Sequence, residues 1–345
     1  MITPETNPLG RRQFLRLATA TAIAPNLGAC SGDKQVISID PGLPNSRFGA
    51  ESTAEEVTAG LDLSGRVALV TGCNSGLGYE TLRVLALRGV HVIGTGRTLD
   101  KAARACSSVA GTTTPVALEL SNFQSAVECA ATVAAMGLPL DMLVCNAGIN
   151  TFGELELVNG IEKIFVVNHL GHFVLVQHLL PLLQVAQAGR IVHVGSRAGY
   201  RSAPAVGIDF DNLRGEKAFD SGEAYGRSKL ANALFSLQLS KRLADSSVTS
   251  NVIHPGLVKT NIARTAPAFM RGAFELFGGL IAKTPAQGAA TQVYVATHPD
   301  LAGVSGAYFE DCNPVQITGP NHVFDEPMAE KLWDVSVEMT SAYLS

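Results

Sequence analysis

At 345 residues, the chain is long enough to bury a sizeable core without disulfides or metal ions. Hydrophobic residues make up 46% and charged residues only 16%, which excludes wholesale disorder and suits buried parallel strands. A net charge of −4 excludes a phosphate-backbone binder, so nucleic acid is not an expected partner. The six cysteines (Cys30, Cys73, Cys106, Cys129, Cys145 and Cys312) contain no C-x-x-C pair and the chain has no H-E-x-x-H, so zinc-site spacing is missing.

In chain order the N-terminus comes first. Residues 10–16 read Gly-Arg-Arg-Gln-Phe-Leu-Arg, followed by a weakly apolar stretch that ends in Leu27-Gly28-Ala29-Cys30. A basic start, a short apolar run broken by Pro25 and Asn26, and small residues at the end describe an export signal too short to span a bilayer. Arg11-Arg12 with Phe14-Leu15 resembles a bacterial twin-arginine signal, and Leu27–Cys30 resembles a lipobox that would acylate Cys30. That acyl anchor is the one membrane contact expected, on a protein held outside the inner membrane; the alternative is a disordered leader on a cytoplasmic protein. Residues 31–60 carry Ser, Gly, Pro, Asn and Glu without periodicity and are expected to form a flexible linker.

The remainder alternates strand and helix. Strands are expected at 66–71, 90–96, 116–120, 140–146, 190–195, 248–254 and 306–309. Helices are expected at 76–87, from 99, up to 136, at 161–183 with Pro181 near its end, at 223–243 and at 285–297. Such alternation implies right-handed crossovers and one doubly wound α/β domain at 61–312, a parallel seven-stranded sheet with helices on both faces. Residues 313–345 are expected to pack on it as a C-terminal extension.

Between the first strand and its helix lies Thr71-Gly72-Cys73-Asn74-Ser75-Gly76-Leu77-Gly78. Gly72 permits a tight turn, Gly76 lets backbone approach a pyrophosphate, and Gly78 allows close helix–strand packing. The helix N-terminus adds free N–H groups for an anion. Further along come Cys145-Asn146-Ala147-Gly148, Asn168 in Val167-Asn168-His169-Leu170-Gly171-His172-Phe173, Ser196 at the end of a strand, Tyr225-Gly226-Arg227-Ser228-Lys229, and His254-Pro255-Gly256 with Thr260.

Those motifs, in that order, resemble the short-chain dehydrogenase/reductase family over residues 61–312, and its retinol-dehydrogenase-like branch in N-H-L-G-H-F, Y-G-R-S-K-L-A-N and G-V-S-G-A-Y-F. The resemblance implies a Rossmann fold and a nicotinamide nucleotide that transfers hydride between an alcohol and a carbonyl. It implies catalytic Asn168, Ser196, Tyr225 and Lys229, with Asn168 holding a helix distortion and a water that extends a proton relay to Lys229. It also implies nucleotide contacts from Gly72, Asn74, Ser75, Gly76, Leu77, Gly78, Asn146, Ala147, Gly148, Tyr225, Lys229, Pro255, Gly256 and Thr260. Glu119-Leu120 stands at the family's adenine-contacting D-L position. Where the family shows V-S-S, this chain has Val194-Gly195-Ser196, leaving Ser196 as the serine that matters.

The chemistry agrees with that spacing. Tyr225 and Lys229 are four apart and share one helix face, so the lysine charge is expected to lower the tyrosine pKa toward neutrality. Ser196 can hydrogen-bond the reacting oxygen. His169, His172 and His193 are expected to be structural.

Cofactor choice follows from the end of the second strand, where Thr95-Gly96-Arg97-Thr98 offers no acid for a ribose hydroxyl. Arg97 there favours NADP(H) through a 2′-phosphate, and nearby Asp100 leaves NAD(H) open. Phe269, Met270, Phe274, Leu276, Phe277, Leu280 and Ile281 either line a pocket for a lipophilic alcohol or carbonyl, or dock as an apolar face on the core or a partner. The sequence leaves a homo-oligomer open. It also leaves open a non-catalytic alternative, a nucleotide-binding sensor or structural lipoprotein on the same fold.

Overall fold

The structure is a computed structural model and describes residues 35–258 and 282–344. Arg11, Arg12, Cys30, Thr260 and the apolar group from Phe269 to Ile281 lie outside the described residues.

The chain runs β1 (Val36–Ile39), α1 (Ala54–Val57), β2 (Val67–Val70), α2 (Gly76–Leu87), β3 (His91–Gly96), α3 (Leu99–Ser107), β4 (Thr113–Ala117), α4 (Phe123–Ala134) and β5 (Met142–Cys145). A short ribbon of β6 (Leu157–Val158) and β7 (Ile161–Glu162) leads into α5 (Lys163–Phe165), a π-helical turn (Val166–Leu170) and α6 (Gly171–Val185). Then come β8 (Arg190–Val194), α7 (Ala198–Arg201), α8 (Ser221–Arg242), β9 (Thr249–His254), α9 (Pro285–Thr297), β10 (Tyr308–Glu310), β11 (Asn313–Thr318) and α10 (Glu326–Thr340).

The main sheet has nine strands in the order β1-β11-β10-β9-β8-β5-β2-β3-β4. From β10 to β4 all neighbours are parallel, the doubly wound arrangement expected. Successive strand residues point to opposite faces, so each strand feeds two cores. Leu69, Leu143 and Ile191 join α4, α6 and α8 on one face. Val70, Val144 and Val192 join α2, α3 and α9 on the other. After β4 the chain returns to the far side of β2 to make β5, and the crevice between the ends of β2 and β5 is where such folds bind ligands.

Several sequence expectations need correction. The sheet exceeds the seven parallel strands because the β10–β11 hairpin adds an antiparallel strand and β1 pairs outside it, Val36 opposite Thr318. Residues 35–60 are therefore not a free linker. The alternating β-branched Val36-Ile37-Ser38-Ile39 forms an edge strand, and α1 is closed by a capping box between Thr53 and Glu56. Residues 313–318 belong to the sheet, while α10 packs its Trp333 against Phe173 and Phe235. The strand expected at 116–120 lies three residues earlier and contains Pro115, which is tolerated because β4 is an edge strand. The helix expected from 161 starts at Lys163, where the Glu162 carboxylate accepts the Ile164 and Phe165 N–H groups, and it is interrupted by the π turn.

Candidate active site

Thr71 and Asn146 stand at the ends of β2 and β5 and bind each other across the crevice. The Asn146 side chain donates to the Thr71 carbonyl at 2.8 Å, and the Asn146 and Ala147 N–H groups donate to Thr71 Oγ1 at 2.9 and 2.8 Å. Gly72 then turns at φ +68°. A Cβ on Gly78 would overlap the Gly72 carbonyl, so only glycine lets α2 start this close to the turn. Ser75 precedes α2 without a side-chain cap, leaving its first N–H groups uncapped by any side chain. Leu77 packs against Gly288 of α9.

The reacting end is built by α8, which the Asp220 side chain caps through the Glu223 N–H at 2.8 Å. A Cβ at Gly226 would overlap the Ser202 backbone, so α8 rests against the end of α7. That packing sets Tyr225 beside Ser196, whose Oγ accepts the Ala198 N–H at 3.1 Å. Lys229 is buried, donates from Nζ to the Val194 carbonyl at 2.9 Å, and lies 5.7 Å from the Tyr225 ring centre. Gly148 lets the β5 loop approach, since a Cβ there would stand 3.2 Å from Asn168 Oδ1 and 3.5 Å from Lys229 Nζ.

Asn168 lies in the π turn, where Gly171 N–H reaches back to the Val166 carbonyl, so the expected helix distortion is present. Its side chain is fully committed: Nδ2 donates to the Ile149 carbonyl at 2.9 Å and Ser228 Oγ at 3.0 Å, and Oδ1 accepts the Ile149 N–H at 2.8 Å. The structure thus brings Asn168, Ser196, Tyr225 and Lys229 together.

The expected electrostatics are reversed. Burial pushes the Tyr225 phenol up to about 12, with the Ser196 hydrogen bond pulling the other way, and burial lowers Lys229 to about 8. Tyr225 is therefore a protonated acid at neutral pH. His169 and His193 are held neutral near 3 by burial, as suits structural residues.

Farther out, Arg97 and Asn74 are exposed and make no hydrogen bond or ion pair with any described residue. Beside Asn74 is a recess of about 360 Å³ lined by Tyr79, Lys101, Arg104, Ala105 and Ser108. The Glu119 carboxylate is turned onto Ser121, accepting its N–H at 3.1 Å and its hydroxyl at 2.8 Å, while the Leu120 side chain is buried. Pro255 leads into Gly256 at φ +93°, which lies against the Lys283 stem; Lys283 Nζ pairs with Asp311 at 2.5 Å.

Sequence reasoning missed one cluster. Arg197, next to Ser196, donates from Nε and Nη2 to Glu310 Oε2 at 2.9 and 2.7 Å, and Tyr200 donates to Oε1 at 2.7 Å. Its N–H also reaches His254 Nδ1 at 3.4 Å. The Ser196 turn is thereby tied to the ends of β9 and β10. The available signal was Glu310, a carboxylate closing the apolar run Ala307-Tyr308-Phe309.

The comparisons with known proteins agree with this geometry. Residues 66–208 match the family model described as short chain dehydrogenase. Short-chain dehydrogenase TIC 32 B, chloroplastic, of Brassica napus is 38% identical over 86% of this chain and 95% of its own length. Human retinol dehydrogenase 14 is 34% identical over 94% of this chain and 98% of its own. Among solved structures, an uncharacterized protein from Mycobacterium paratuberculosis superposes with a TM-score of 0.66 at 29% identity, covering 83% of this chain and 97% of that one. With a doubly wound sheet, a glycine turn at its switch point and relatives aligned along nearly their whole length, the chain belongs to the short-chain dehydrogenase/reductase family, NAD(P)-dependent oxidoreductases acting on CH–OH groups.

Proposed function

We propose that the protein is an NADP(H)-dependent oxidoreductase that interconverts an alcohol and a carbonyl on a lipophilic small molecule. One observation carries this reading: Ser196, Tyr225 and Lys229 meet at the reacting end of the crevice, with Asn168 locked behind them. A nicotinamide, when bound, supplies or accepts the hydride. The crevice suits one, because the Gly72 turn, the Gly78 contact and the uncapped start of α2 form a backbone cradle. Arg97, with Lys101 and Arg104 beside the recess, favours a nucleotide carrying the extra 2′-phosphate.

The chain's own groups hold and move the proton. Ser196 Oγ donates to the substrate oxygen and fixes it next to Tyr225. Tyr225, protonated at neutral pH, gives its proton to a developing alkoxide during carbonyl reduction. Alcohol oxidation needs the phenolate, which the Ser196 hydrogen bond and a charged Lys229 both favour. The lipophilic substrate is supported by the name of human retinol dehydrogenase 14 and by the apolar side chains at 269–281. The test is Tyr225→Phe assayed with NADPH and a panel of lipophilic aldehydes: turnover should collapse while NADPH affinity holds. A variant that turns over normally would remove Tyr225 from the mechanism.

We also propose that the N-terminal motif directs export of the folded protein, with Cys30 acylated as a membrane anchor. Changing Arg11-Arg12 to Lys-Lys should leave the unprocessed chain in the cytoplasm. Continued export and processing at Cys30 would rule this route out.

A further inference from the structure

Three buried histidines stand behind the site, and they differ in how they are bonded. His169 and His193 each keep one ring nitrogen without a partner and pack among the rings of Phe165, Phe173 and Phe235. His172, 2% exposed, is bonded at both ends. Its Nδ1 lies 3.2 Å from the Asn168 carbonyl, and its Nε2 lies 3.0 Å from Thr71 Oγ1.

The protons in this chain can be assigned from valence alone. A carbonyl only accepts, so Nδ1 carries the hydrogen that points to Asn168. Thr71 Oγ1 already accepts the N–H groups of Asn146 and Ala147, which fills both of its lone pairs. Its own proton must go outward, and His172 Nε2 at 3.0 Å is a nearer acceptor than the Val144 carbonyl at 3.4 Å. The ring is therefore neutral with its hydrogen on Nδ1, in line with a pKa held down to about 4 by burial.

Each end of the ring serves a different part of the machinery. Thr71 heads the glycine turn and clamps the loop after β5. Asn168 fixes Ile149 and Ser228 from inside the π turn. We infer that His172, in its Nδ1–H tautomer, is the positioning residue that fixes the Asn168 turn against the nucleotide crevice. The inference rests on the oxidoreductase reading above and adds a residue that acts through Asn168 and Thr71.

Three substitutions separate the two ends. His172→Phe keeps the ring and loses both bonds. His172→Asn keeps a donor near the Nδ1 position, and His172→Gln places its amide near Nε2. Each full-length variant, with wild type and Tyr225→Phe, would be assayed with NADPH and all-trans-retinal, and its NADPH affinity measured by titration. His172→Phe should lower kcat about ten- to a hundred-fold, the scale expected when a catalytic group is slightly misplaced. His172→Asn should recover most of kcat, and His172→Gln should recover nucleotide affinity without kcat. Equal recovery by both, or a His172→Phe kcat within about two-fold of wild type, would leave His172 a packing residue only. If Tyr225→Phe is inactive and His172→Phe is not, this inference alone fails; if Tyr225→Phe matches wild type, the catalytic reading itself fails. Nitrogen-15 histidine NMR on the wild-type protein needs no substrate and no variant. An Nδ1–H tautomer at His172 is expected, and an Nε2–H tautomer would overturn the assignment.

Discussion

The two ends of the nucleotide crevice are built on opposite plans. At the reacting end Asn168 and Lys229 are buried with protein partners, and Tyr225 stands beside Ser196. At the outer end Arg97 and Asn74 stand in solvent with no partner among the described residues. The contrast separates two kinds of work. Groups that handle a proton must be held in place before substrate arrives, because a small misplacement costs rate. Groups that select a charged ligand can remain solvated until it comes, with the ligand supplying the order.

Substitutions at each end test that contrast. The largest effect belongs to the preorganised end: Tyr225→Phe should reduce turnover by about 10²–10⁴-fold, the usual contribution of a positioned acid, with NADPH affinity nearly unchanged. At the outer end Arg97→Ala should weaken NADPH binding by about 1.5–3 kcal/mol, roughly ten- to a hundred-fold, and leave NADH binding alone. Titration of both nucleotides checks this, and equal losses would give Arg97 another role.

Behind the reacting end, burial should make the protein acid-sensitive. His193 is held neutral near 3 in the fold, below the ordinary histidine value, so only the unfolded chain takes up its proton as pH falls below about 6.5. Stability is therefore lost from that pH down toward the folded pKa, by about 1.4 kcal/mol per pH unit for each such group. His193→Phe should flatten the decline of denaturant stability with pH by about that amount, and an unchanged slope would contradict a neutral, buried His193. The smallest effect is expected at Glu310→Gln. Arg197 is half-exposed, so losing that charge pair should cost only about 1 kcal/mol of stability, with a modest fall in kcat through the Ser196 turn. A loss of several kcal/mol would place the pair in the fold's core instead.

What the sequence revealed follows the same division between local and distant causes. The glycine turn and Tyr225-x-x-x-Lys229 were legible because each lies within one turn or one helix, where spacing alone determines which side chains meet. Strand β1 was not, since Val36–Ile39 reads as part of a polar, Pro- and Gly-containing stretch until its partner at 313–318 is known. The π turn was implied by the family resemblance at Asn168 but not by periodicity, since it sits inside an apolar run that reads as continuous helix and is anchored by a contact between Asn168 and Ile149 from another segment. The pKa of Tyr225 went the other way from expectation for a related cause. Charge spacing is visible in a sequence, but the desolvation that raises a buried phenol is not.

The edge strand β1 has a consequence for how the chain is made. Its bond from Thr318 Oγ1 to the Val36 carbonyl joins residues 282 apart in sequence, so β1 leaves the ribosome well before its partner. The intervening parallel strands can assemble while synthesis continues, but β1 has nothing to pair with until 313–318 emerges. Closing that edge is thus a check on completeness: a chain that stops short of residue 313 keeps an exposed strand that marks it as unfinished.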